Sequence, residues 1–247
     1  MNLLLLSNST NVGSRYLAHA LPTVLDFLRG ARVTFVPYAL ADHDAYTATV
    51  SAALGPHGIE VRGLHTFDDP RSAITDAEAV FVGGGNTFRL LRELQRRELV
   101  DHLAQRVRSG LRYLAASAGT NLAGPTIRTT NDMPIVQPDG FAALGLVPFQ
   151  LNPHYLDADP DSRHGGETRE QRLTEFLEEN DVAILGLREG TWLRVTDGHA
   201  EIGGAAVGPT APGPAILYSR GVPAREVSGE ISDLLSVAGR FDLPLGG

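Results

Sequence analysis

Residues 111–121 read Leu-Arg-Tyr-Leu-Ala-Ala-Ser-Ala-Gly-Thr-Asn. An apolar run stops at one serine, Ser117, and the residues closest to it on either side are small. A short continuous apolar run is how a parallel strand covered on both faces reads. Small residues after it suit a sharp turn from strand into helix. Ala115 lies two before the serine and Gly119 two after it, so the pattern is Ala-x-Ser-x-Gly. That is close to the Gly-x-Ser-x-Gly of a nucleophile elbow, where the hydroxyl stands exposed above the end of a sheet. The same residues also suit an ordinary helix with a serine N-cap, and the local sequence leaves both readings open.

The chain around this stretch alternates strands and helices. "NLLLLSN" (2–8), "RVTFVPYA" (32–39), "IEVRGLHTF" (59–67, nearer an edge) and residues 79–82 read as strands. Between them, 14–30, 42–58, a short piece after 69, the segment after the glycines at 83–85, and 100–110 space their apolar residues helically. Such alternation implies right-handed crossovers and an α/β fold: a mostly parallel sheet with helices on both faces. In the second half, 125–140 reads as a long polar loop, 166–180 as a helix and 182–190 as a buried strand. Residues 191–204 read as a C-terminal β-hairpin turning at Asp197-Gly198. Residues 208–215 read as a surface loop before a final strand and helix. No repeat or linker interrupts the 247 residues, so 1–247 reads as one domain.

Composition excludes several classes. No stretch approaches the ~20 apolar residues of a membrane span, and the N-terminal leucines lack the basic flank of a signal peptide. Zero cysteines exclude disulfides, a thiol nucleophile and Cys-ligated metal, and fit a cytoplasmic protein. A net charge of −8 argues against nucleic-acid binding.

In open parallel sheets, ligands gather at the carboxyl ends of the strands. Two turns there carry chemistry. "VGGGNTF" (82–88) lets backbone approach a ligand and leaves N–H groups free at a helix start, although a tight structural turn would read alike. It is neither a Walker A motif nor a dinucleotide fingerprint. The second turn holds Ser117, and a serine needs a base. Of eight histidines, His154 in "LNPHYLDADP" sits after an apolar segment on a Pro-stiffened turn, while the other seven read as solvated surface residues. The base needs an orienting acid: Glu189 ends the buried run "VAILGLRE", and Asp132 in "TTNDMPI" is its rival.

Together "GGGNTF", "SAGTNLAGPTIRTTNDMPIV", "NPH", "GETREQR" and "GLREGTW" closely resemble the S51 family of serine peptidases, which includes α-aspartyl dipeptidases. The resemblance runs from the N-terminus through the hairpin. His154 follows Ser117 by 37 residues and Glu189 follows His154 by 35, spacings that match the family. Thr120 and Ala116 depart from it, standing where alanine and tryptophan are usual, and residues beyond about 205 match poorly.

The resemblance implies a class I glutamine amidotransferase-like, flavodoxin-like sheet. It implies hydrolysis of dipeptides with an N-terminal aspartate, with no cofactor and no metal, Ser117 as nucleophile and His154 as base. Glu189 is favoured over Asp132 as third member because it ends a core strand. The N–H groups of Ala118 and Gly85 are then the candidate oxyanion donors, with Asn86 shaping the glycine loop. A small acidic dipeptide as partner needs a local cation, and Arg169 or Arg128 offers the bidentate fork; Thr126 and Thr129 are the hydroxyl alternatives. Arg169 also reads as a surface partner of Glu167 or Glu170. The competing functions are a cyanophycinase-like hydrolase of aspartyl-arginine bonds and a silent module that binds acidic small molecules. A homo-oligomer stays open.

Overall fold

The computed structural model describes residues 1–159, 165–207 and 213–244. Its strands are β1 (Asn2–Leu6), β2 (Val33–Val36), β3 (Val61–Gly63), β4 (Ala79–Val82), β5 (Arg112–Ala116) and β6 (Gln150–Tyr155). They continue as β7 (Ile184–Arg188), β8 (Thr191–Thr196), β9 (His199–Gly204), β10 (Ala215–Ser219), β11 (Val222–Val227) and β12 (Gly229–Glu230). The helices are α1 (Leu21–Leu28), α2 (His43–Leu54), α3 (Pro70–Thr75), α4 (Thr87–Arg96), α5 (Val100–Arg108), α6 (Ala118–Leu122) and α7 (Arg169–Glu179).

The larger sheet runs β12-β9-β8-β1-β5-β4-β2-β3. Its five strands from β1 to β3 are parallel, and β8, β9 and β12 extend it antiparallel beyond β1. The uninterrupted apolar runs follow from burial on both faces. Leu4, Leu6, Phe81 and Leu114 pack against Val24, Phe27, Val50 and Leu54 of α1 and α2. Their alternates Leu3, Leu5, Val80, Val82 and Tyr113 pack against Leu90, Leu94, Leu103 and Val107 of α4 and α5. Side-chain caps start the helices where the sequence offers an oxygen: Asp42 accepts from the Ala45 N–H, Asp69 from Arg71 and Ser72, and Thr168 forms a capping box with Gln171.

A second sheet, β11-β10-β7-β6, was not anticipated from the sequence. β6 and β7 are parallel, β10 runs antiparallel to β7, and β11 pairs antiparallel with β10. Helix α7 covers it with Leu173 and Leu177 against Tyr155, Ile184 and Tyr218. The two sheets meet at Ser7, just past β1. Its buried hydroxyl donates to the Leu187 carbonyl at 2.9 Å and accepts the His154 N–H at 2.9 Å.

Three further elements differ from the sequence reading. The helix read over 14–30 is α-helical only from Leu21 to Leu28. Pro22 fits a first turn, but inside a longer helix it would remove a hydrogen bond and clash with the turn before it. The segment read as a Pro-stiffened turn is strand β6, with Pro153 on a sheet edge where its missing N–H is tolerated. The final strand and helix are three strands and a 3-10 turn at Ser232–Ser236. The hairpin of β8 and β9 turns at Asp197 and Gly198, both with positive φ (49° and 85°), as a type I′ turn requires. Of the loop read over 208–215, residues 208–212 lie outside the described residues. Among the described residues no helix is long and apolar enough to cross a membrane.

Candidate active site

Ser117 links β5 to α6 with φ 53° and ψ −111°, a left-handed conformation unusual for a residue with a Cβ. It occupies the N-cap position, yet its hydroxyl caps no helix N–H. Instead Oγ lies 2.9 Å from His154 Nε2. Strain of this kind costs about 1–3 kcal/mol and persists only where the surroundings over-determine it. Here they do. The Ser117 N–H donates to the Leu6 carbonyl at 3.1 Å, the Thr120 hydroxyl donates to the same carbonyl at 2.6 Å, and Tyr113 Oη donates to the Gly119 carbonyl at 2.7 Å. A Cβ on Gly119 would stand 2.3 Å from the Val82 carbonyl oxygen, so only glycine allows α6 this close to β4.

His154 reaches the serine through a defect in its strand. The register of β6 on β7 breaks between Asn152 and Tyr155, and His154 has φ 54°. Such a bulge re-aims a side chain. Its backbone N–H is held by Ser7. Glu189 follows β7 directly, and its Oε1 lies 2.6 Å from His154 Nδ1. Its loop is fixed by the Val207 N–H on the Glu189 carbonyl and by the Gly190 N–H on Asn8 Oδ1, 2.9 and 2.8 Å. An ionised carboxylate can only accept, so the proton of a neutral imidazole sits on Nδ1 and the Nε2 lone pair faces the serine hydroxyl. Each member of this chain comes from a different strand end: β5, β6 and β7.

The glycine turn between β4 and α4 is tight at all three positions. A Cβ on Gly83 would meet the Tyr46 ring at 2.7 Å, one on Gly84 would stand 3.0 Å from Ser117 Cβ, and Gly85 (φ +133°) would meet the Ala39 carbonyl oxygen at 2.7 Å. A pocket of about 370 Å³ opens over Ser117 and His154, with Gly84, Gly85, Ser9, Tyr16 and Tyr46 in its walls. The two tyrosine hydroxyls lie 3.4 Å apart. Burial raises the pKa of both, so they stay protonated and neutral. The sequence reading missed Ser7, Asn8, Ser9 and the tyrosines. The available signal was positional: Ser7-Asn8-Ser9 ends the strand that pairs with β5.

The other residues singled out from sequence take separate places. Asp132 does not touch His154. Its Oδ2 accepts from the Thr87 N–H and hydroxyl at 2.7 and 2.6 Å, at the start of α4. Asn86 caps α4 through Arg89 and donates to the Met133 carbonyl. Arg128, read as a candidate for the substrate carboxylate, already spends its fork on Asp242 at 2.7 and 2.9 Å. Thr126 is occupied by Gln150 and Thr129 by the Leu151 carbonyl. Arg169 is half-buried and, among the described residues, has no hydrogen bond or ion pair; Glu167 pairs with Arg172 instead. Burial and the Arg172 charge lower the Arg169 pKa, and the nearby Asp132 carboxylate opposes them. The histidines read as solvated include His19, His43, His65 and His102, which are half-buried. At His19 burial lowers the pKa against the pull of Glu189 and of the Asn8 backbone. His65 packs on His43 and bonds Asp44. His164 lies outside the described residues. No group of three His, Asp or Glu among the described residues is placed to hold a metal.

Residues 3–203 match the model of peptidase family S51. The chain is 60% identical over 245 residues to peptidase E of Streptomyces coelicolor, covering 98% of each. It is 54% identical over 198 residues to a Drosophila melanogaster protein named as a probable alpha-aspartyl dipeptidase, covering 78% of this chain and 82% of that one. A solved structure of a peptidase from an acI-B1 actinobacterium superposes with a TM-score of 0.60 at 15% identity, covering 92% of this chain and 93% of that one, a likeness of fold alone.

The Ser7 bridge generates a prediction. Ser7→Ala removes the partner of one buried and one part-buried backbone group at once, and should lower the unfolding free energy in urea by about 1–3 kcal/mol. An unchanged midpoint would mean that the two sheets are held together elsewhere.

Proposed function

Because the chain belongs to peptidase family S51, we propose that it hydrolyses dipeptides with an N-terminal aspartate, with Ser117 as nucleophile, His154 as general base and Glu189 as the acid that orients it. The observation carrying this reading is the continuous relay Ser117–His154–Glu189 at 2.9 and 2.6 Å across three strand ends. Ser117 attacks the scissile carbonyl while its proton passes to Nε2. The imidazolium that forms is stabilised by Glu189 at Nδ1 and then protonates the leaving amine. Water repeats the sequence on the acyl-enzyme.

The tetrahedral oxyanion needs donors. Ala118 is the first residue of a helix that has no side-chain cap, so its N–H is free for that task. The N–H of Gly85, in the pocket wall, is the second donor. One such donor is worth about 3 kcal/mol in the transition state.

Arg169 reads the aspartyl carboxylate. Among the described residues its fork is unspent, and the macrodipole at the start of α7 makes an arginine there costly unless an anion arrives. Arg128 is the weaker candidate because Asp242 holds its fork. A half-buried charge pair made to Asp-X and absent with Asn-X separates two nearly isosteric substrates.

The tests use dipeptide turnover. Ser117→Ala should fold normally and lose nearly all Asp-Leu hydrolysis; retained turnover in protein free of wild type would place the nucleophile elsewhere. Glu189→Gln should cost at least about tenfold more kcat/KM than Asp132→Asn, about 1.4 kcal/mol of transition-state stabilisation. The reverse order would make Asp132 the orienting acid despite its bond to Thr87. Arg169→Met should collapse Asp-X hydrolysis while leaving the slow Asn-X rate nearly unchanged, and an unaltered Asp/Asn ratio would remove Arg169 from the site.

A further inference from the structure

Arg188, next to Glu189 in sequence, has no part in the chemistry above, yet it is among the most fully engaged side chains in the structure. Its side chain is 3% exposed. Nε and Nη2 donate to Asp157 at 2.7 and 2.6 Å. Nη1 and Nη2 donate to Glu226 at 2.7 and 2.8 Å, and Nη1 also donates to the Gly213 carbonyl at 2.9 Å. All five guanidinium N–H groups are therefore used, the full inventory of the side chain. Its planar fork fits two carboxylates in a way that lysine cannot.

What these partners belong to gives the cluster its meaning. Arg188 is the last residue of β7, so the backbone it anchors leads straight to Glu189. Asp157 lies just past β6, the strand that carries His154, and Tyr155 is the register partner of Arg188. Glu226 lies on β11, beyond the residues matched by the family model. One guanidinium thus binds the segment after the histidine, the strand before the glutamate and the C-terminal hairpin of β10 and β11. The strand ends it joins are those that carry His154 and lead to Glu189.

We propose that Arg188 is a positioning residue for the His154–Glu189 pair, and that the C-terminal hairpin supports the site through Glu226. The sequence reading gave the C-terminal residues little weight; the clamp connects them to the chemistry. The guanidinium is buried while its two carboxylate partners are partly exposed, and a charge network of this kind adds little net stability. Its effect is geometric: with five directional bonds it holds two strand ends that would otherwise shift by fractions of an ångström, and a proton relay is sensitive to shifts of that size. This inference rests on the relay proposed above being the working one.

The test separates positioning from plain stability. Arg188→Met, Arg188→Lys and Glu226→Gln are compared with the wild type and with Arg240→Met, which breaks an exposed pair to Asp181. Thermal unfolding, kcat and KM on Asp-Leu, and the low-field proton resonance of the His154 Nδ1–H in the free protein are measured. Arg188→Met should lower kcat at least tenfold with KM within about twofold, and should shift or broaden the resonance while the protein remains folded. Arg188→Lys should restore part of the rate, and Glu226→Gln, which keeps shape and removes one charge, should show the same shifts more weakly. Arg240→Met should move none of these. A lowered melting temperature with resonance and kcat unchanged would overturn the proposal. Should Arg188→Met fail to fold, Glu226→Gln decides: an unmoved resonance and rate would overturn it. The resonance is read without substrate, so failure of the aspartyl reading leaves this test intact, whereas a wild type without activity but with the resonance would fault that reading alone.

Discussion

The structure depends on one reversal of the chain: strand β5 must become helix α6 within a single residue that carries a Cβ and sits at φ 53°. Each neighbour answers to that constraint. The Leu6 carbonyl, at the end of β1, accepts both the Ser117 N–H and the Thr120 hydroxyl, so β1 has to lie beside β5. The Val82 carbonyl, at the end of β4, leaves no room for a side chain at residue 119, so β4 has to lie on the other flank. Gly84 then faces Ser117 at a distance no larger residue could keep. The small residues around the serine are thus set by approach distances on both sides, and the hydroxyl they release points at a histidine rather than at a helix N–H.

The second constraint is that the serine and its partners belong to different sheets. Ser117 ends a strand of the larger sheet, while His154 and Glu189 leave β6 and β7 of the smaller one. A relay built across two sheets is only as well aligned as their contact. Ser7 holds that contact with one hydroxyl, which gives its proton to β7 and receives one from β6. Asn8, next in the chain, takes the Gly190 N–H and fixes the turn beyond the glutamate. Two consecutive polar residues after β1 therefore do for the smaller sheet what the glycines do for the larger.

The sequence made the first half of this fold legible because its strands are buried on both faces. Residues 79–82 coincide with β4, and the apolar run that stops at Ser117 ends with β5. Ser117, His154 and Glu189, which meet in the structure, are legible as well, since motif and spacing single them out. All but one of the differences share one physical cause. A bulge at Asn152–Tyr155 depends on pairing with β7, and a paired Arg128 depends on Asp242, 114 residues away. Likewise the role of Ser7 depends on His154 and Leu187, 147 and 180 residues away. Local pattern reports which face of an element is buried, and says nothing of which distant partner satisfies a polar group. The helix at 14–30 is a different kind of failure: its periodicity was real, and Pro22 overruled it.

The arginines show how that gap closes once coordinates exist. As letters, Arg128, Arg169 and Arg188 are equivalent, and two of them looked equally able to read a carboxylate. Their donors distinguish them. Arg188 has spent all five N–H groups inside the protein, so it can hold strands but has nothing left for a ligand. Arg128 has spent its fork on a carboxylate that is itself 69% exposed, so a substrate would have to displace a pair already made. Arg169 pays the desolvation of a half-buried cation with no anion in contact among the described residues. The Asp132 carboxylate offsets part of that cost from a distance, and an anion in direct contact would offset more. With the whole chain at −8, long-range attraction does not favour an anionic ligand, so any affinity for one has to come from local donors.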